Sequence, residues 1–158
     1  MLRDSKKRVM LIRTIFVVYA VIMAYFLFFR RNLNIGDTYW EQISRNINVV
    51  PFFTIKQNLH LILEKTNPYL VPYAIINLLG NIVGFIPFGI LVPVLFQRVR
   101  EFSKFFFCAI GSILLIECIQ LFTLRGSFDI DDWILNMSGS LFGYAIYRFI
   151  RTNCRPAM

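Results

Sequence analysis

The sequence predicts an all-α integral membrane protein with four transmembrane helices and both termini in the cytoplasm. Of the 158 residues, 57% are hydrophobic, whereas soluble domains average roughly 45–50%. The apolar residues stand in runs of about 20, the length that crosses a bilayer as a helix. Lys and Arg residues flank these runs. We therefore expect a single multi-pass domain over residues 1–158, located in the cell membrane.

The first two helices are predicted near residues 9–29 and 69–96. The first follows a basic segment and lacks a small-x-small cleavage site, so we interpret it as a retained helix rather than a signal peptide. The second is long enough to cross the bilayer with a tilt or a kink. Pro87 and Pro93 lie in its later half, and we expect neighbouring groups to satisfy the backbone carbonyls that they free.

The last two helices are predicted near residues 105–124 and 132–150. Placing both termini and the basic turn at 97–104 in the cytoplasm puts most Lys and Arg residues on that side, as the positive-inside rule requires. The long polar connection, residues 30–68, then lies outside the cell. Its apolar residues within 56–68 have helical spacing, which predicts a short amphipathic helix on the membrane surface.

Charge and cysteine content limit the classes of binding partner, disulfide and metal site that we expect. The net charge is +8, but the basic residues flank apolar runs instead of forming a separate domain, which favours anionic lipid headgroups over nucleic acid. Cys108, Cys118 and Cys154 are an odd set without metal-ligand spacing, so we expect neither a disulfide framework nor a metal site. Carboxylates in the 125–132 turn suit hard cations, yet they lack the regular oxygen-donor spacing of a calcium loop. We predict no cofactor, and the sequence is compatible with a homo-oligomer.

Polar side chains recur on one face of each of three predicted helices. The second and fourth helices would enter from outside and the third would leave there, which brings these side chains to matching depths in the extracytoplasmic half of the bilayer. An ionised Glu117 facing lipid would cost roughly 3 kcal/mol or more, so it should face the bundle interior or a wet cavity. The candidate ligand-binding residues are Asn77, Asn81, Glu117, Gln120, Arg125, Asp129, Asp132 and Asn136.

The turn between the third and fourth helices carries charges of both signs. Arg125 is its only cation, and we expect it to reach Glu117, the aspartates or an anionic group of a ligand. Asp129 and Asp132 fit a helix-capping arrangement, since a helix N-terminus favours negative charge. Asp131 lies off their face and is expected to be solvated.

Amide and glycine residues have structural interpretations beside the functional one. Asn77 and Asn81 either hydrogen-bond between helices or line a ligand site. Two glycine pairs, Gly80–Gly84 and Gly139–Gly143, have the small-xxx-small spacing that lets helices approach closely. Both interpretations place these residues at helix interfaces.

Four segments carry a family resemblance when taken in order. They are NVVPF at 48–52, NLLGNIVGFIPFG at 77–89, ECIQ at 117–120 and RGSFDIDDWILNMSG at 125–139. With them the chain resembles the VanZ-like family, named for an accessory protein of glycopeptide-resistance clusters in Gram-positive bacteria. The resemblance implies low-level resistance to teicoplanin, a lipid-bearing glycopeptide, without a change to the peptidoglycan precursor. It also implies that the eight candidate residues are the family's characteristic polar positions and that its structural positions are Phe85, Pro87, Gly89 and Gly139.

Three functions remain open at this point. The first is binding of, or shielding against, a lipid-linked cell-wall component or lipoglycopeptide at the outward polar pocket. The second is a structural membrane subunit whose polar residues only hold helices together. The third is an intramembrane enzyme on a lipid-linked substrate, with Glu117 as acid or base and Asp129 or Asp132 as the second carboxylate. The sequence contains no nucleophile–base set, metal motif or phosphate loop that would favour the enzyme.

Overall fold

The computed structural model describes residues 2–28, 37–64 and 67–153. Over these ranges the regular secondary structure is helical apart from one pair of two-residue strands. The elements are α1 Leu2–Phe28, α2 Tyr39–Arg45, β1 Ile47–Asn48, α3 Phe53–Glu64, α4 Val71–Leu95, a 3-10 turn Gln97–Val99, α5 Phe102–Phe122, β2 Phe128–Asp129 and α6 Ile130–Asn153. The all-α prediction is thereby confirmed.

Three helices are long and apolar enough to cross a membrane. They are α1 over Lys6–Phe28, α4 over Val71–Leu95 and α5 over Phe102–Phe122. The fourth predicted span corresponds to α6, which is 24 residues long. Polar and charged residues occur along α6, and within the described ranges its composition is not apolar enough to count it with the three candidate spans. Its crossing of the membrane, like the side on which the termini lie, stays a prediction.

α4, α5 and α6 begin and end within about a turn of the predicted positions, whereas α1 begins at Leu2, about two turns before the predicted start at residue 9. α6 begins at Ile130 because Asp129 accepts a hydrogen bond from the Asp131 N–H and caps the first turn. α4 continues unbroken through Pro87 and Pro93. Near its end, Arg100 Nε donates to the carbonyl oxygen of Pro93 over 3.1 Å. Arg100 thus satisfies carbonyl oxygens in the last turn of α4. The carbonyls that Pro87 and Pro93 free lie four residues earlier, at Val83 and Gly89, and their satisfaction by neighbouring groups stays a prediction.

Glycines let α4 and α6 pack backbone against backbone. A Cβ at Gly139 would collide with the carbonyl oxygen of Ile82, and one at Gly143 would collide with that of Ile86. On α4 the complementary glycine is Gly89, whose Cβ would meet the α6 backbone. The Gly139–Gly143 pair thus makes the close approach that its spacing predicted. The Gly80–Gly84 pair does not, since a Cβ at either position would meet side chains only.

Aromatic residues fill the space where α4, α5 and α6 meet. Phe85, Phe105 and Tyr144 are buried in this cluster together with residues of the facing helices. The rings of Phe105 and Tyr144 stack with centroids 4.5 Å apart, and the Tyr144 hydroxyl donates to the carbonyl oxygen of Arg100 over 2.8 Å. This cluster fixes α5 against the paired helices.

The directions of the helices define two ends of the bundle. α4 and α6 run side by side in the same direction, while α5 packs antiparallel to α6. α1 runs opposite to α4, since Phe16 packs against Phe96 and Tyr19 OH donates to the carbonyl oxygen of Gly84. We call the end where α4 and α6 begin and α5 ends the polar end. The other, where α1 begins and α4 ends, is the basic end.

Residues 37–64, the part of the connection between α1 and α4 that the structure describes together with 67–70, contact the polar end through α2, β1 and α3. α2 starts with a capping box in which Thr38 and Glu41 bond each other's backbone N–H groups, and the Thr38 N–H holds the pKa of Glu41 below its usual value. α3 is the predicted amphipathic helix, although it begins at Phe53 rather than at 56. Its Leu59 and Leu63 are exposed, while Asn58 is buried against α4.

Candidate functional site

A tight turn ends α5 and directs the chain into the site. Leu124 adopts a left-handed conformation with φ of 53°. The Arg125 N–H donates to the carbonyl oxygen of Gln120 and the Leu124 N–H to that of Leu121, the two bonds of a Schellman motif. A leucine is unusual at this position, where glycine is the common residue. Its side chain is buried with Ile43 and Leu121, which offsets the conformational cost.

The strand pair brings the segment before α3 against the start of α6. β1 and β2 pair in parallel, with Ile47 opposite Phe128 and Asn48 opposite Asp129. Asp129 is 6% exposed and accepts from Thr54 Oγ1 at 2.6 Å and from Asn48 Nδ2 at 3.2 Å. Asp129 therefore caps α6 as predicted, and it also ties the α3 segment to that cap.

Asp131 corrects one expectation. It was expected to be solvated, but it is 0% exposed. Its carboxylate accepts from the backbone N–H of Phe52 at 2.5 Å and of Ile55 at 3.0 Å. Phe52 has φ of 63°, a conformation that turns its N–H toward α6. The start of α3 thus covers the face of α6 that carries Asp131, and Asp131 accepts from two backbone N–H groups there.

Asparagines link α4 to its neighbours at the polar end. Asn81 Nδ2 donates to Asp132 Oδ1 over 2.5 Å, joining α4 to α6. Asn77 Oδ1 accepts from Asn58 Nδ2 over 3.2 Å, joining α4 to α3. Asn77, Asn81 and Asp132 are all half-buried, so they form the partly open rim of the polar cluster.

Glu117 and Asn136 occupy the buried centre of the cluster, with exposures of 2% and 1%. Asn136 Nδ2 donates to Glu117 Oε1 over 3.5 Å, a long bond. Glu117 Oε2 and Asn136 Oδ1 are both inaccessible and have no hydrogen-bond partner among the described residues. The carboxylates of Asp132 and Asp129 bring charge of the same sign to Glu117, and the backbone N–H of Asp129 acts on the Glu117 carboxylate as a donor. The centre therefore has acceptor oxygens in excess over donors.

Two predicted site residues stand apart from this centre. Gln120 Nε2 donates to the carbonyl oxygen of Leu27 at the end of α1, over 2.8 Å. Arg125 is half-buried, and no ion pair within 4.0 Å joins it to an acid in the described parts of the chain. The expected pairing of Arg125 with Glu117 or the aspartates is therefore not formed in this structure.

Sequence reasoning missed four residues that complete the cluster. Asn48 and Thr54 hold Asp129, Asn58 meets Asn77, and Asp131 holds the start of α3. Three of the four lie in the connection before α4, for which only a surface helix was predicted. One sequence feature could have identified Asn48. It lies in NVVPF at 48–52, one of the four segments that carry the family resemblance, and a family motif outside the membrane helices indicates a contact with the site.

Comparison with known proteins places the chain in a family. A model of the VanZ/LLP1 family matches residues 16–151. The chain belongs to the VanZ/LLP1 family. Protein VanZ of Enterococcus faecium is 28% identical over 135 residues, which cover 85% of this chain and 72% of that protein. No solved structure matches. The whole polar cluster, from Asn48 to Asn136, lies within the VanZ/LLP1 match.

The chemistry of the cluster in this VanZ/LLP1 chain follows from its donor and acceptor balance. A buried acceptor without a partner costs about 1–3 kcal/mol, and Glu117 and Asn136 each contribute one. An N–H, O–H or ammonium group placed between them would satisfy both oxygens. An anionic group placed there would be repelled, so the buried centre suits a hydrogen-bond donor or a cation.

Proposed function

We propose that the chain is a four-span protein of the cell membrane, with α6 as the fourth span, both termini cytoplasmic and the polar end facing outward. The basic residues support this orientation, because Lys6, Lys7 and Arg8 at the start of α1 share the basic end with the 97–104 turn and the end of α6. Packing supports the span, since the glycine contacts hold α6 along α4.

The polar end binds a lipid-linked cell-wall component or shields the cell from a lipid-bearing glycopeptide, giving resistance of the teicoplanin type. The observation that carries this function is the pair of buried, unpartnered oxygens, Glu117 Oε2 and Asn136 Oδ1. Burying an ionisable group inside a membrane protein is costly, and such groups are rare and mark functional sites. A donor group of the ligand meets these oxygens while its lipid chain stays in the surrounding bilayer.

The rim residues have separate roles in this function. Asn77, Asn81 and Asp132 are half-buried and form the rim beside the buried centre. Asp129 holds the covering segment in place. Arg125 lies in the adjoining turn with a guanidinium group that no described acid pairs, so it meets an anionic group at the edge of the ligand. Gln120 positions the end of α1 beside the site.

A structural role is the second candidate, favoured by the internal hydrogen bonds. Asn81 with Asp132, and Asn58 with Asn77, join helices to each other without any ligand. Under this alternative the unpartnered oxygens have no function. Substituting them would then change only how much folded protein reaches the membrane.

The test is teicoplanin susceptibility in a Gram-positive host that lacks such a protein. Expression of the chain should raise the minimum inhibitory concentration of teicoplanin, with no such rise for a glycopeptide that lacks a lipid chain. Glu117→Gln and Arg125→Ala should reduce the protection per molecule in the membrane. Glu101→Gln is the matched control, because Glu101 is exposed at the basic end and pairs only with Lys104 and Ser103 among the residues described.

Two results would contradict the binding function. If Glu117→Gln and Arg125→Ala, at normal levels in the membrane, protect cells from teicoplanin as well as the unsubstituted chain does, the polar centre has no part in resistance. Protection that falls only in proportion to the amount of folded protein would favour the structural role.

A further inference from the structure

A second site lies at the basic end, away from the polar cluster. A cavity of about 710 Å³ opens between α1, the end of α4, the 3-10 turn and α5. Its walls are mainly apolar and include Phe16, Phe88, Val92 and Phe96, while Arg98 and Ser112 are among its polar members. Its volume lies in the range of sites that bury small molecules, about 300–1,000 Å³. An apolar cavity with a cation in its wall suits an amphiphile with an anionic head.

Arg98 is available to such a head group. It is exposed and makes no hydrogen bond or ion pair with another residue of the described ranges. Its neighbour Arg100 differs, because Arg100 donates to carbonyl oxygens at the end of α4. A guanidinium group without an internal partner binds phosphate through paired N–H donors.

Further positive charge surrounds the same end. Phe16 packs edge-on against Phe96 with ring centroids 6.3 Å apart, which fixes the level of α1 beside the cavity. Arg13 lies one turn beyond Phe16 toward the start of α1, and Lys6, Lys7 and Arg8 follow in the same direction, all exposed. Basic residues near an anionic membrane surface are attracted to its headgroups. Cations thus extend outward from the cavity, along the start of α1.

We propose that this cavity binds an anionic phospholipid, with one acyl chain between α1, α4 and α5 and the phosphate group at Arg98. A zwitterionic lipid of the same chain length would fill the apolar part equally well. It would gain less at the mouth, because its own ammonium group opposes the basic residues. The site is independent of the proposed ligand at the polar end, since the two lie at opposite ends of the same helices.

The experiment measures lipid binding to the purified full chain in detergent by native mass spectrometry. The probes are phosphatidylglycerol and phosphatidylcholine with identical acyl chains. Phosphatidylglycerol should bind more tightly, and Arg98→Gln should weaken it about tenfold or more, since charge-assisted bonds are the strong ones. Arg148→Gln is the matched control, because Arg148 is exposed near the end of α6 and does not line the cavity.

A second pair of variants tests the apolar part. Ser112→Phe places a ring in the cavity and should lower the binding of both lipids. Gly111→Phe is its control, since a Cβ at Gly111 has no atom within 4 Å and the position faces outward. If Ser112→Phe does not fold, thiol labelling replaces it. Phosphatidylglycerol should then protect Cys108, which lines the cavity, and not Cys118, in a chain with Cys154→Ser.

Three outcomes would overturn the proposal. Equal binding of the two phospholipids would remove the anionic selectivity. Unchanged binding by Arg98→Gln, or equal labelling of Cys108 with and without lipid, would place the lipid elsewhere. Much tighter binding of a polyprenyl phosphate than of phosphatidylglycerol would assign the cavity to a lipid-linked carrier instead. None of these results bears on teicoplanin susceptibility, so the two proposals fail separately.

Discussion

Gly139 on α6 lies directly against the carbonyl oxygen of Ile82 on α4. This contact fixes the height at which the two helices meet. The residue before Ile82 is Asn81, whose amide bonds Asp132 one helix away. Asn136 lies one turn from Gly139 toward the polar end, facing Glu117 on α5. Close backbone packing in the middle of the bundle therefore sets the geometry of the polar cluster at its end.

Gly139→Ala should destabilise the protein strongly. The added methyl group has only backbone atoms of Ile82 to displace, so the helices must separate, and overpacking of this kind costs about 1–3 kcal/mol. Thermal unfolding in detergent and the yield of folded protein would show the loss. Gly111→Ala is the control and should be neutral or slightly stabilising, because that position is open and alanine favours a helix. Equal unfolding temperatures for the two variants would contradict the close contact.

Asp131→Ala should loosen the start of α3. It removes the charged acceptor of two backbone N–H groups, those of Phe52 and Ile55. A loss of about 1–3 kcal/mol is expected, with faster amide hydrogen exchange over residues 52–64. Asp131→Asn keeps one acceptor oxygen and should have a smaller effect. Glu64→Gln is the control at the exposed end of the same helix, and exchange rates no different from that variant would rule out the anchoring role.

The helices could be predicted from sequence because apolar runs and turn residues act locally. Glu117, Asn136 and Asn81 could be placed toward one another by the same means, since helical spacing and the alternating direction of the helices decide which faces meet. Asp131 could not be placed in this way. Its burial depends on the segment from Phe52 to Ile55 folding back over α6, and that contact joins residues about 80 positions apart in the chain.

Arg125 shows a second limit of sequence reasoning. Opposite charges close together in a turn favour pairing, but the Schellman motif after α5 sets the direction in which the Arg125 backbone leaves the helix. That direction depends on Leu124 adopting a positive φ, which composition does not predict for a leucine. Small-xxx-small spacing likewise did not identify the glycine of α4 that meets α6, since this is Gly89 and not Gly80 or Gly84.

The Asn81–Asp132 hydrogen bond should show measurable coupling between α4 and α6. In a double-mutant cycle with Asn81→Ala and Asp132→Ala, we expect a coupling energy of about 0.6–2 kcal/mol, as for other interhelical hydrogen bonds in membranes. The free energy of unfolding in detergent is the measurement. The control cycle pairs Asn81→Ala with Glu101→Gln, since Glu101 lies at the opposite, basic end of the bundle and the two changes should add. Additive effects in the first cycle would show that the bond contributes nothing.

Glu117→Gln should leave the stability unchanged or raise it by about 1 kcal/mol. The substitution replaces one carboxylate oxygen, an acceptor, with an amide N–H₂ group, a donor. Unpartnered acceptor oxygens lie in this centre, so the new donor can form a hydrogen bond. The net contribution of one hydrogen bond to stability is about 1 kcal/mol. Thermal unfolding would measure the change, with Glu117→Leu as the comparison that cannot form the bond. A clear loss of stability in Glu117→Gln would mean that the carboxylate is satisfied in the folded protein. Together with the susceptibility assay, this separates a functional centre from a structural one.

The polar end and the basic end should lie on opposite sides of the membrane. With Cys108, Cys118 and Cys154 replaced by serine, a cysteine at Ser127 in the turn after α5 should react with a membrane-impermeant maleimide added to intact cells. A cysteine at Ser103, beside the basic turn, should react only after the cells are opened. This arrangement is expected because Lys and Arg residues beside membrane helices stay on the cytoplasmic side. The end of α6 is basic, so α6 must cross the membrane back to that side. Reaction of both cysteines from outside would show that α5 does not cross the membrane, and the reverse pattern would invert the orientation.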